Sequence, residues 1–346
     1  MTRRIVATSP IRICDCGGWT DTWFARHGAV CHIAVEPVVR VEIVARASTG
    51  GASGASKVML HAENLGDHYA FVPGTRPFVK HPLLEAAIES VGIPTGQCIE
   101  IRVASPVPPG ASTGTSASVC VALLGALNRL RERPLDPLAL ARAAHEVEVD
   151  RLGQQSGVQD QLAAACGGVN FIEIESYPRA ILHPVPLSEA TRQALDARLM
   201  LVYLGRTHRS SSVHEQVIRQ LADAGPDHPA LDDLRAAAYA ARDALAGGNL
   251  RAFGAAMIAN TEAQRRLHPT LVGARAQRAI DIASAFGAIG WKVNGAGGEG
   301  GSVTVLCGPD WRVPGGASRA ALSAALAADE YGYSIIPVAI ARRGLS

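Results

Sequence analysis

Four short stretches of this chain carry residues whose types and spacing could handle a polyphosphate and an alcohol. The first is PVPPGASTGTSAS at 106–118. A Pro-Pro-Gly turn leads into small residues and then a helix N-terminus. Such a backbone points several N–H groups into one space and adds the positive end of a helix dipole, which suits phosphate. Thr115, Ser116 and Ser118 add hydroxyls able to contact phosphate or Mg²⁺. This is not a Walker A loop, because no G-x-x-x-x-G-K-[ST] is present. An ordinary N-capped helix after a polar loop fits the same residues.

The second stretch is SGVQDQ at 156–161, which follows a helix carrying Glu146 and Glu148. A carboxylate such as Asp160 at the start of a buried helix is costly unless paired, so it is either a cap or a catalytic group. The third is GAGGEGG at 295–301, a tight backbone loop that hugs another segment or a ligand. A strand follows it rather than the helix a dinucleotide site needs, which argues against a Rossmann site. The fourth is PIRICDCGGWTDT at 10–22, with Arg12 and Asp21 on either side of a glycine turn. The arginine stays protonated and offers a planar fork of donors to phosphoryl charge. The aspartate can accept hydrogen bonds from sugar hydroxyls. Alone, the pair also reads as a surface turn with a salt bridge.

The elements that must position these residues can be read in outline. Arg4–Ala7 and Ile11–Ile13 are extended, with CGGW at 16–19 as a turn. Residues 29–45 alternate in part and predict a strand or hairpin, 48–56 a flexible loop, and 58–72 one or two more strands. Helical spacing marks 82–91, 119–130 and 137–152, and a further helix begins at 160. Strands are predicted at 98–103 and 169–174. A domain boundary is placed near 185–195. Beyond it come a strand at 198–204, helices at 211–223, 229–247, 250–266 and 271–287, a Gly-rich loop feeding a strand within 290–306, a helix at 318–328 and a strand at 334–341. This is an α+β pattern in two domains.

Composition narrows the function classes. A length of 346 residues suits two domains, and 48 % hydrophobic residues suffice for a sizeable core. A formal net charge of +2, with scattered basic residues, gives no signature of a nucleic-acid or membrane-surface binder. No apolar run is long enough to span a bilayer, and the first residues do not resemble a signal peptide, so the expectation is a cytoplasmic protein. Seven cysteines, at 14, 16, 31, 98, 120, 166 and 307, are spread as reduced thiols would be. Cys14, Cys16 and Cys31-His32 offer the alternative of a metal site, though no second close pair completes a zinc-like spacing.

Taken together and in order, these stretches resemble the GHMP kinases (galacto-, homoserine, mevalonate and phosphomevalonate kinases). PIRICDCGGWTDT is similar to that family's first motif, PPGASTGTSAS to its second and KVNGAGGEGG to its third. The resemblance spans about residues 8 to 307. GGWTDT, and LVYLGRTHRSSS at 201–212, are closest to fucokinases and heptose-phosphate kinases. The resemblance implies a two-domain GHMP fold, with a ribosomal protein S5 domain 2-like N-terminal domain over 1–188 and a ferredoxin-like C-terminal domain over 189–346.

It also implies roles. Asp160 matches the catalytic aspartate and Arg12 the basic residue beside it. Pro109, Gly110, Ala111, Ser112, Thr113, Gly114, Thr115 and Ser116 would wrap the phosphates of ATP. Glu148, eight residues before Ser156, would hold Mg²⁺ with Thr115 or Ser116. Asp21, Gly18, Gly297 and Gly298 would meet the substrate. The expected activity is transfer of the γ-phosphoryl group of ATP to a hydroxyl of a sugar, sugar phosphate or cyclitol, by a monomer or homodimer. A mevalonate- or homoserine-like acceptor is the alternative. Two departures raise a third reading, a non-catalytic nucleotide- or sugar-binding regulator. Ser112 stands where the second motif usually has its first glycine, and Glu299 replaces a glycine of the third. His208, Arg209, His214 and His268 are further residues that could face the pocket, or the surface.

Overall fold

The computed structural model describes residues 2–47, 57–94, 96–131, 134–205, 215, 217–219, 221, 225–309 and 319–346. The fold is α+β. The first half is built on β1 (Thr2–Cys16) and β2 (Gly28–Ala47), which pair antiparallel along nearly their whole length. Burial alternates along Val39, Arg40, Val41, Glu42 and Ile43, as a strand with one packed face requires. Along its other edge β2 meets β6 (Val169–Ser176) through residues 28–33 and β5 (Gln97–Ala104) through residues 40–47. The sheet extends outward through β3 (Lys57–Ala62) and β4 (Asp67–Phe71) on one side and β7 (Arg179–Pro184) on the other.

Four helices pack with this sheet: α1 (Pro82–Val91), α2 (Thr115–Asn128), α3 (Pro137–Glu146) and α4 (Gln159–Cys166). From Ala117 on, almost every residue of α2 is buried, so its apolar residues are not confined to one stripe. It begins at Thr115, four residues earlier than its apolar run suggests, because left-handed Gly114 (φ 68°) turns the chain directly into the helix. The helix expected over 137–152 is α-helical only as far as Glu146. Residues 147–151 widen into a π turn, a device often found at functional sites.

The second half opens with α5 (Glu189–Arg198), capped by the Ser188 hydroxyl, where the sequence suggests only a boundary. A second antiparallel sheet follows, in the order β11 (Ser334–Ile336), β8 (Leu199–Tyr203), β10 (Ser302–Cys307), β9 (Ala288–Val293). The helices here are α6 (Pro229–Ala246), α7 (Leu250–Leu267), α8 (Ala274–Ala285) and α9 (Arg319–Ala328). Ala238, Ala241, Phe253 and Met257 of α6 and α7 pack with Ile13, Cys31 and Phe171 of the first sheet, so the two halves share a core. No helix among the described residues is long and apolar enough to cross a membrane.

The chain's last residues return to the first sheet. Pro337, which lacks an N–H, divides the expected strand at 334–341 into β11 and β12 (Ala339–Ile340), and β12 pairs with Val35 and Glu36 of β2. Ser346 and Thr8 exchange two backbone hydrogen bonds of 3.0 Å, and Leu345 N donates to Ala165 O at 3.1 Å. A Cβ on Gly125 would lie 2.6 Å from the Leu345 side chain, which would have to shift to admit it.

The loop expected at 48–56 and most of the helix expected at 211–223 lie outside the described residues. So do Arg206 to Ser212 of the 201–212 segment, together with His208, Arg209 and His214.

Candidate active site

Arg12, on β1, and Asp160, in the first turn of α4, form a two-point ion pair. Nε donates to Oδ1 at 2.8 Å and Nη2 to Oδ2 at 3.2 Å. The guanidinium is almost wholly buried, whereas the carboxylate keeps 27 % exposure. Burial opposes the charge on Arg12, but Asp160 and then Asp15 more than offset it and raise its pKa. A third donor, Nη1, reaches the carbonyl of Ser112. Gly114 lies against the pair, since a Cβ there would come within 3.1 Å of the Asp160 carboxyl carbon.

This pair looks into a cavity of about 850 Å³ lined by every residue from Pro109 to Ser116. Within that loop Gly110 (φ 75°), Ser112 (φ 58°) and Gly114 (φ 68°) are left-handed, alternating with residues that are not. Backbone of this kind gathers N–H groups on one concave side, ahead of a 14-residue helix whose positive end faces the same space. The loop is anchored from behind. Arg12 N donates to Thr113 O at 2.9 Å, and Ser302 Oγ of β10 donates to Ala111 O at 2.6 Å. Ser118 serves structure instead, bonding the carbonyls of Pro10 and Gly114.

Glu148 projects from the π turn into the same cavity and is 5 % exposed. Its Oε2 accepts from Ser156 Oγ at 2.6 Å and Gln161 Nε2 at 2.9 Å, while Oε1 has no partner. Burial, with the charge of Asp160 adding to it, lifts its pKa to about 7. A buried carboxylate with an orphaned oxygen, facing the hydroxyls of Thr115 and Ser116 across one cavity, is an oxygen donor set that fits Mg²⁺. That ion takes one or two carboxylates and completes its shell with phosphates and water. Among the described residues, no cluster of three His, Cys, Asp or Glu side chains could hold a metal without such help. The seven cysteines are free; Cys14, Cys16 and Cys31 are buried thiols whose pKa burial pushes up, that of Cys16 to about 12.

Asp21 lines the cavity beside Asp160. It is buried, accepts from Gln159 N at 3.1 Å, and is pushed up to about 6 by burial, with Asp160's charge adding. Gly157 is what admits it, because a Cβ there would sit 2.0 Å from Asp21 Oδ2. Gly18 is not among the lining residues and lies against Asp15 Oδ2. Gly297 and Gly298 pack on Leu271 and Val272, and it is Gly295 and Ala296 of that loop that reach the cavity. Glu299 is exposed and lies against Gly273, outside the lining. His268 is also outside it; its Nδ1 caps Thr270.

The sequence reading missed the groups behind the site. Asp15 is fully buried, pairs with the fully buried Lys292 at 3.3 Å, and accepts from Gly295 N. Asn294 binds Cys14 N, Ser302 and Thr304, locking the third glycine-rich stretch to β1 and β10. Asp15 and Lys292 lie within or beside motifs already noted. Only the fold, however, pairs residues 277 apart.

Known proteins resemble this chain in sequence and in fold. Residues 79–168 match the family model described as GHMP kinases N terminal domain. The chain is 32 % identical over 119 residues to D-glycero-alpha-D-manno-heptose 7-phosphate kinase of Campylobacter jejuni subsp. jejuni serotype O:2, a match covering 34 % of this chain and 35 % of that protein. It is 31 % identical over 211 residues to mevalonate kinase of Methanothermobacter thermautotrophicus, covering 60 % of this chain and 64 % of that one. The chain thus spans about a third of the first relative's length and just under two thirds of the second's. The crystal structure of a D-glycero-D-manno-heptose 1-phosphate kinase from Bacteriodes thetaiotaomicron superposes with a TM-score of 0.74 at 18 % identity, over 99 % of this chain and 97 % of that one. At that identity the likeness is one of fold.

Proposed function

Because this chain carries a GHMP kinase N-terminal domain over residues 79–168, we propose that it is an ATP-dependent kinase that phosphorylates a hydroxyl of a sugar, sugar phosphate or cyclitol. The observation that carries this reading is the Arg12–Asp160 pair facing the 109–116 backbone across one cavity.

In this mechanism the loop N–H groups and the α2 N-terminus bind the phosphates of ATP. The apolar wall of Leu65, Leu83, Val103 and Val107 takes the nucleoside end. Asp160 receives the proton of the attacking hydroxyl, and its partial exposure lets an acceptor reach it. Arg12 orients that carboxylate through its two-point contact and presents fixed positive charge to the phosphoryl group in flight. Asp21 accepts a second hydroxyl and so sets the acceptor's orientation. Glu148, with Thr115 or Ser116, would hold Mg²⁺, which would supply positive charge to the polyphosphate.

The same reading includes a domain division at residue 188. It is supported by seven of the first sheet's eight strands lying within residues 2–184 and all of the second sheet's within 199–336, with β12 alone returning to the first. The exposed placement of Glu299 removes one motive for a regulator without activity. Mevalonate kinase among the relatives keeps a non-sugar alcohol as the second reading. A panel of monosaccharides, heptose phosphates, cyclitols, mevalonate and homoserine, read by ATP consumption and product mass, tests the proposal. Turnover of a sugar or cyclitol is the expected result. Turnover of mevalonate or homoserine alone selects the second reading, and no turnover with any acceptor overturns both.

A further inference from the structure

Behind the Arg12–Asp160 pair lies a second buried ion pair. Asp15 follows Arg12 on β1, and Lys292 is on β9. Both are fully buried, and Lys292 Nζ reaches Asp15 Oδ1 at 3.3 Å and Gln264 Oε1 at 3.2 Å. Two fully desolvated charges are costly, and replacing such a pair by apolar groups is often neutral or stabilising, so stability alone is a weak reason to have one. Its geometry suggests another reason. Both Asp15 oxygens accept from Gly295 N, at 3.1 and 3.2 Å. Gly295 in turn lies against the catalytic side, where a Cβ would stand 3.0 Å from Ser112 O and 3.2 Å from Arg12 Nη2. Its carbonyl is held by Gln264 Nε2 at 3.2 Å. The turn at Gly295 therefore forms one wall of the Arg12 guanidinium, and Asp15 holds that wall in place.

We propose that Asp15, paired with and oriented by Lys292, is a positioning residue for phosphoryl transfer: through Gly295 it fixes the Arg12 guanidinium in its two-point contact with Asp160. The inference rests on the kinase reading for its functional meaning, while its structural half can be measured separately. A displacement of about an ångström in such a group can cost on the order of 100-fold in rate. Loss of the Asp15 anchor acts in that range, on kcat rather than on the KM for ATP, because the phosphate loop has its own anchors at Thr113 and Ala111.

Two variants separate positioning from stability. Asp15→Asn leaves Lys292 buried without a counter-charge and lowers the melting temperature. The double variant Asp15→Asn/Lys292→Met removes both charges and restores it. If Asp15 positions Arg12, the double variant regains the parent's melting temperature while kcat stays roughly 10- to 100-fold low and the KM for ATP moves less than about threefold. In protein labelled with ¹⁵N-arginine, the Arg12 Nε–H signal, assigned by its loss in Arg12→Lys, then exchanges with solvent faster in both variants than in the parent. Recovery of kcat together with the melting temperature overturns the proposal, as does an Arg12 signal as protected in the variants as in the parent. Should the parent phosphorylate no acceptor, the kinase reading falls, and protection of the Arg12 signal still decides what Asp15 does.

Discussion

Ser302, the first residue of β10, donates its hydroxyl to the carbonyl of Ala111 at 2.6 Å, joining the second sheet to the middle of the 109–116 loop. The bond is buried and lies behind the loop rather than in the cavity. Ser302→Ala removes one such bond, worth about 1 kcal/mol, and should raise the KM for ATP roughly fivefold with a smaller effect on kcat. Steady-state kinetics checks this; an unchanged KM would mean that the loop does not depend on β10.

Asp160→Asn keeps the shape of the side chain and removes its basicity. Transfer is expected to fall about 100- to 10,000-fold while circular dichroism and the melting curve stay close to the parent's. Arg12→Ala should cost at least as much activity and also lower stability, because Asp160 and the Ser112 carbonyl lose their donor. Near-parental turnover in the Asp160 variant would remove that residue from the role of base.

Ser112 adopts φ 58°, and its buried hydroxyl has no partner. Both features cost free energy that glycine avoids, offset in part by glycine's looser unfolded chain. Ser112→Gly is therefore expected to stabilise the protein by about 1 kcal/mol without loss of activity. A melting temperature below the parent's would mean that serine has a function here that glycine cannot supply.

The Asp21 carboxyl is raised by burial to about 6 from an ordinary value of 3.8. The folded chain thus binds this proton more tightly than the unfolded chain. The resulting stability is fully present below about pH 4 and is lost as pH rises through about 6. Denaturant midpoints measured from pH 4 to 7 should fall in the parent and change less in Asp21→Asn. Parallel curves for the two proteins would show that Asp21 does not titrate in this range.

Glu148→Gln keeps the bonds to Ser156 and Gln161 within reach and removes the anionic oxygen that has no partner. The Mg²⁺ concentration for half-maximal rate should rise about tenfold or more, and a chelator should stop the parent enzyme. An identical Mg²⁺ dependence in parent and variant would move the metal away from Glu148.

The loop at 109–116 was legible as a feature because its pattern is local. Small residues and glycines in one run, ending at a helix start, are visible without knowing any contact. The Arg12–Asp160 pair could be reached only through family resemblance, since nothing in either segment points across the 148 residues between them. Asp15 and Lys292 escaped notice for the same reason, and because an isolated Asp or Lys reads as surface until burial is known. The sequence of helix α5 reads as a boundary because its first turn is polar and its buried face is narrow, with Thr191 and Leu195 its only buried residues. The π turn at 147–151 leaves no mark on apolar periodicity, yet it carries Glu148.

The return of residues 339–346 to the first sheet has a consequence for biosynthesis. The sheet that bears Arg12 lacks a strand, and Gly125 lacks its leucine neighbour, until residues 339–346 have left the ribosome. Closure of the first sheet around Arg12 thus waits on a segment made after every strand of the second sheet.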